Sequence, residues 1–183
     1  MTRRRITPEM IAALSAVLIG VSALFVSIYQ ASIMREQQRI MFEQQRASVW
    51  PYLQVGTNHG DEGVEVVVTN QGVGPARIRS VETTLDGAVV KNWGEVFSAL
   101  LGNPRVPYNR RSINRRVLPP EASVRILGIN RAVAESIGRN FNNLDMMLCY
   151  CSVYDECWKT KWRGFGVEPV DTCELDEARQ FEN

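Results

Sequence analysis

The chain has 183 residues, 45% of them hydrophobic and 22% charged, with 21 basic against 20 acidic side chains. That balance belongs to a folded protein rather than a disordered or collagenous one, and a net charge of +1 exerts no global pull toward nucleic acid. The single histidine, His59, excludes a multi-histidine metal cluster, and neither a G-x-x-x-x-G-K phosphate loop nor a G-x-S-x-G elbow occurs.

Residues 1–9 place Arg3, Arg4 and Arg5 ahead of an apolar run. Residues 10–29 (MIAALSAVLIGVSALFVSIY) carry no charge, and at helical rise such a run spans about 30 Å, the hydrocarbon thickness of a bilayer. One transmembrane helix is predicted, with Thr7 as cap, Pro8 in the first turn and Glu9 at the positive end of the helix dipole. A cleavable signal peptide would use the same arginines as its n-region and Val21-Ser22-Ala23 as its cleavage site. Cleavage there leaves residues 24–29 as an apolar stub, so retention is the expectation. Arg3, Arg4 and Arg5 tie in number with Arg35, Arg39 and Arg46 beyond the span, but their tight clustering favours a cytoplasmic N-terminus. The expected address is therefore the inner membrane, single-pass, with the C-terminal domain periplasmic.

Residues 30–48 contain no Gly or Pro and extend the helix as a juxtamembrane stalk. Ile33, Gln37, Ile40 and Gln44 recur at alternating spacings of four and three, with Met34 and Met41 alongside. Such a stripe can seat a partner helix or a second copy, although two heptads do not establish a coiled coil and packing on its own domain or along the lipid surface fits equally. Glu36 and Glu43 are spaced to pair with Arg39.

Roughly 135 residues remain, enough for one globular core. Trp50-Pro51 ends the helix, because the residue before a proline is pushed out of helical geometry. Residues 64–69, 76–85 and 88–90 are β-branched and partly alternating, and Asp86-Gly87 marks a tight hairpin between the last two. Pro119-Pro120-Glu121 turns the chain into a strand at 123–129, and 144–154 with 157–163 make a final hairpin. Seven or so strands suggest a β-sandwich over residues 49–166, with short helices at 93–101 and 132–141 crossing between sheets and residues 167–183 as an acidic tail.

The segment Asn70-Gln71-Gly72-Val73-Gly74-Pro75-Ala76, followed by the alternating strand and Asp86-Gly87, resembles the N-x-G-x-G-P-A segment of uncharacterised bacterial single-pass membrane proteins with an immunoglobulin-like domain. The hairpin CYCSVYDECW (149–158) resembles a second segment of the same group. The resemblance touches under a quarter of the chain; it implies an immunoglobulin-like sandwich and membrane anchoring, and carries over no catalytic residue. Physically, Asn70, Gly72 and Gly74 suit positive backbone angles in a turn, while Pro75 and Ala76 permit close approach at a sheet edge.

Cys149, Cys151, Cys157 and Cys173 all lie in the last 35 residues, an even number that fits two disulfides in an oxidising compartment. Three pairings are possible. If residues 153–155 form the hairpin loop, Cys151 and Cys157 face each other across it and Cys149 is left to staple the tail through Cys173. Loop entropy then assigns the two bridges roughly 2 and 3 kcal/mol. A zinc site would need four converging thiolates, which the tight Cys149-x-Cys151 spacing disfavours. A cysteine nucleophile activated by His59 would need a loop histidine to meet a strand cysteine.

Residues 105–116 (RVPYNRRSINRR) carry Arg105, Arg110, Arg111, Arg115 and Arg116, with Tyr108 available for stacking. Outside a membrane this cluster would meet lipid headgroups, acidic glycans or an acidic protein. Alternatively, the tail bearing Glu168, Asp171, Glu174, Asp176, Glu177 and Glu182 lies across it. No acid/base pair or nucleophile has a visible partner, so neither an enzyme nor a cofactor is expected. The expectation is a membrane-anchored, non-enzymatic interaction module, an accessory subunit of a membrane-associated complex, partnered by another protein or a second copy rather than by nucleic acid. The alternative is a cytosol-facing sensor that binds an anionic ligand through its arginine-rich loop.

Overall fold

The computed structural model describes residues 7–164, 166–174 and 176–182, so Arg3, Arg4 and Arg5 lie outside the described residues. The Thr7 carbonyl accepts from the N–H groups of Met10 and Ile11 at 3.0 and 3.3 Å, which opens helix α1 (Pro8–Ala47) at the expected cap. Its 40 residues rise about 60 Å. The helix is long and apolar enough to cross a membrane, and it runs on without interruption because no proline intervenes between Pro8 and Pro51. On its polar half Arg39 pairs with Glu36 at 2.6 Å and reaches Glu43 at 3.9 Å. The chain divides after Gln45 into two compact units.

Among the described residues the second unit holds ten strands in two antiparallel sheets. In chain order they are β1 (Leu53–Gly60), β2 (Gly63–Asn70), β3 (Ala76–Leu85), β4 (Ala88–Val90), β5 (Tyr108–Arg110), β6 (Val117–Leu118), β7 (Ser123–Asn130), β8 (Leu144–Cys151), β9 (Cys157–Lys161) and β10 (Val167–Val170). One sheet has the order β1-β2-β7-β5; the other runs β10-β9-β8-β3-β4, with β6 also on β3. The sheets enclose one core, to which β2 contributes Val66 and Val68, β7 Ile126 and Leu127, and β8 Met146 and Leu148. Two hydrogen bonds tie the sheets together: the Leu53 N–H donates to the Tyr150 hydroxyl at 3.2 Å, and the Trp162 indole donates to Thr57 Oγ1 at 3.1 Å. Helices α2 (Trp93–Leu101) and α3 (Arg131–Ile137) are capped by Asn92 and Asn130, whose side chains accept from Glu95 N and Val133 N; a 3-10 turn (Gly138–Asn143) follows α3.

Two bulges set which residues reach the core. Between Ile78 and Ser80 the β3–β8 register slips by one residue, so Ser80 and Val81 are both buried and the alternation changes parity. The β2–β7 pairing slips between Val66 and Val67, and Ile126 and Leu127 are buried in succession. Strands β1, β5, β6 and β10 are absent from the sequence reading. β1 (LQVGTNHG) is glycine-bearing and polar, while β5 and β6 have three and two residues. β10 lies in the segment read as an acidic tail and carries Pro169, which an edge strand tolerates.

The segment 70–76 behaves differently from the turn inferred for it. Asn70 does not have positive φ, and neither do the two glycines, Gly72 and Gly74. They are required for space: a Cβ on Gly72 would overlap the Trp50 carbonyl, and one on Gly74 the Val49 carbonyl. Asn70, fully buried, holds the assembly together. Its Oδ1 accepts from Tyr52 N and Gly72 N at 3.2 and 3.0 Å, and its Nδ2 donates to the carbonyls of Gly74, Leu118 and Pro119 at 2.8, 3.1 and 3.1 Å. Asp86 and Gly87, at φ 52° and 80°, do form the tight β3–β4 turn.

Candidate functional site

The β8–β9 hairpin places Cys151 opposite Cys157, and the two are bridged; Cys149 is bridged to Cys173, and no cysteine is free. The bridges touch, with Cys151 Sγ 3.7 Å from Cys173 Sγ. Although the sulfurs of Cys151, Cys157 and Cys173 lie within 4.8 Å of one another, each is committed to a bridge and offers no thiolate to a metal. His59 is exposed near the β1–β2 turn, at the end of β2 away from Asn70, and has no cysteine thiol to activate.

The five arginines of residues 105–116 fall on different parts of the fold, and Arg115 and Arg116 are the two that line a cleft with β3. Arg110 lies on β5, at the edge of the first sheet, exposed Arg111 follows it, and Arg105 is in the connection after α2. Arg115 and Arg116 turn instead toward the second sheet. There β6 pairs with the start of β3, Ala76 opposite Leu118 and Arg77 opposite Val117, and the Ile78 N–H donates to the Arg116 carbonyl at 2.9 Å. Arg115 and Arg116 therefore line a cleft of about 540 Å³ together with Arg77 and Arg79 of β3. Its walls include the bridged Cys151, Cys157 and Cys173 and the acids Asp155 and Asp171. Asp155 Oδ1 lies 2.8 Å from Arg77 and 3.6 Å from Arg79. A larger hollow of about 660 Å³ opens by the β1–β2 turn, but its one arginine, Arg125, is already paired with Glu65. The arginine cleft is the stronger candidate.

Tyr108 is not a free stacking platform: its ring packs 5.1 Å from that of Phe97 beside the core. The segment read as a tail reaches the arginine loop and the cleft without an ion pair to either among the described residues. Asp171 lines the cleft, and the Asn114 amide donates to the Phe181 carbonyl. Among the described residues no arginine of 105–116 makes an ion pair with an acid of 167–182. The stripe Ile33, Gln37, Ile40 and Gln44 is exposed along α1. Arg77 and Arg79 were missed at the sequence level; their alternation in the strand ARIRS, on the side opposite Ala76 and Ile78, was the available signal.

No curated protein and no solved structure matches the chain. The family described as a domain of unknown function (DUF8453) matches residues 10–160. That match takes in the apolar run, the stalk and the sandwich through most of β9, and the chain belongs to the DUF8453 family.

Proposed function

We propose that the protein is a membrane-anchored, non-enzymatic interaction module, an accessory subunit that presents its sandwich at the outer face of the cytoplasmic membrane. The observation that carries this reading is the combination, in one chain, of a helix fit to cross a bilayer and a domain whose four cysteines are all bridged. Bridges of this kind persist in oxidising compartments, and the cluster Arg3, Arg4 and Arg5 favours a cytoplasmic N-terminus. We read the sandwich as immunoglobulin-like, following the resemblance of segments 70–76 and 149–158; two antiparallel sheets around one core support that assignment. The partner is a membrane protein or a second copy, met along the stalk stripe or the exposed sheet edges.

Protease treatment of spheroplasts tests the topology. Digestion of the domain from outside, without lysis, is the expected result. Protection of the domain until lysis would overturn it in favour of a cytosol-facing sensor, the reading that the arginine cleft would then support.

A further inference from the structure

We propose that the cleft between β3 and the β5–β6 connection is a binding site for a phosphate-type oxyanion, held by Arg77, Arg79, Arg115 and Arg116, with Asp155 as a resident carboxylate that the anion displaces. The four guanidinium groups come from two chain segments that meet only because β6 adds to β3. They outnumber the two acids of the cleft, Asp155 and Asp171, and leave a formal excess of two positive charges. Asp155 already seats one carboxylate oxygen between Arg77 and Arg79. Arg115 and Arg116 pair with no acid among the described residues, so half of the cationic lining is uncommitted. Planar guanidinium forks match the oxygens of a phosphate group better than any other side chain does.

The site is also built rather than incidental. Asp155 stands in the loop closed by Cys151–Cys157, whose cysteines are six positions apart, and Asp171 and Thr172 precede the bridged Cys173. Arg115 and Asp155, at φ 56° and 59°, both occupy the left-handed region that non-glycine residues seldom adopt, and both line this one cleft. A fixed cleft lowers the ordering penalty of binding. At about 540 Å³ it has room for more than an isolated phosphate. Val117, exposed at 59%, lines the cleft and Val153, exposed at 46%, lies in the Asp155 loop, so either a lipid headgroup or a soluble phosphate ester fits the chemistry. The inference does not depend on which side of the membrane the domain occupies, and a topology that overturns the reading above leaves it standing.

The test uses the full-length chain in neutral detergent micelles, titrated with inorganic pyrophosphate by calorimetry. Saturable binding of one anion per chain is expected, weakened by salt as exposed charges are screened. Replacing Arg115→Gln together with Arg116→Gln should weaken it by about tenfold or more, the scale of one lost charge-assisted contact. Arg110→Gln with Arg111→Gln, away from the cleft, should leave it unchanged, and Asp155→Asn should tighten it. On the unmodified protein, pyrophosphate should shield Arg115 and Arg116 from phenylglyoxal, read residue by residue by mass spectrometry; this measurement stands even if a variant fails to fold. To separate the sources, the chain is placed in nanodiscs of phosphatidylcholine alone or enriched in phosphatidylglycerol. Weaker pyrophosphate binding in the anionic discs identifies a headgroup, and equal binding a soluble anion. Absence of saturable binding, equal loss in the Arg110/Arg111 variant, or no shielding of Arg115 and Arg116 would overturn the proposal.

Discussion

Five backbone groups converge on the side chain of Asn70, which is sealed from solvent where β2 ends, the chain enters β1 and β6 ends. Asn70→Ala leaves those groups in a space that water does not reach, and each unsatisfied group carries its desolvation penalty. Full-length protein unfolded by urea should lose about 3 kcal/mol in this variant, near the upper end for a single substitution. An unchanged midpoint would mean that the neighbouring backbone finds other partners. Segment 70–76 was legible as a special stretch, but its role was not: positive φ is a local property that Asn70, Gly72 and Gly74 do not show, whereas the close approach of Gly74 to Val49, 25 positions earlier in the chain, appears only after the chain has folded back. Tyr150 offers a second check. Burial pushes its phenol up to about 12, against the opposing effect of the Leu53 N–H. An unfolded tyrosine ionises near 10, so the folded domain keeps the proton longer. This group's contribution is therefore fully present below pH 10 and is lost as pH rises from there toward 12, at up to about 1.4 kcal/mol per pH unit. Urea unfolding across that window should show the decline, and Tyr150→Phe should remove that group's share of it.

At the scale of elements, the β3–β4 and β8–β9 hairpins were readable because their turns are punctuated locally, and β3, β4 and α2 start and stop where their residues say. What escaped were pieces that become structure only by joining an existing edge. The chain near Gln180 is the clearest case: Gln180 bridges to Glu82 and the Phe181 N–H donates to the Val81 carbonyl at 2.8 Å, on the edge of β3 that also carries β4 and β6. Phe181 is fully buried, edge-on to Trp93 with ring centroids 5.1 Å apart. Nothing in its acidic surroundings marks it as core. Phe181→Ala should therefore destabilise the protein by about 3 to 5 kcal/mol, as for other buried aromatic truncations, and shift the urea midpoint accordingly. A loss below about 0.5 kcal/mol, typical of surface positions, would show that this segment contributes little to the core.

For the molecule as a whole, the helix long and apolar enough to cross a membrane was legible from composition alone, since an uncharged run of bilayer length needs no tertiary information. The arginine cleft was not, because it joins Arg77 and Arg79 to Arg115 and Arg116 through a two-residue strand that carries no propensity signal of its own. The cysteines sit between these cases: their number implied bridges, and the hairpin decided the partners. They also link fold to address, because disulfides form and persist in oxidising compartments. The decisive measurement is the alkylation state of the four cysteines in protein taken directly from native membranes, trapped with acid, denatured and read by mass. The account predicts no labelled cysteine before reduction and four after it. Four labelled cysteines before reduction would place the domain in a reducing compartment and contradict the account.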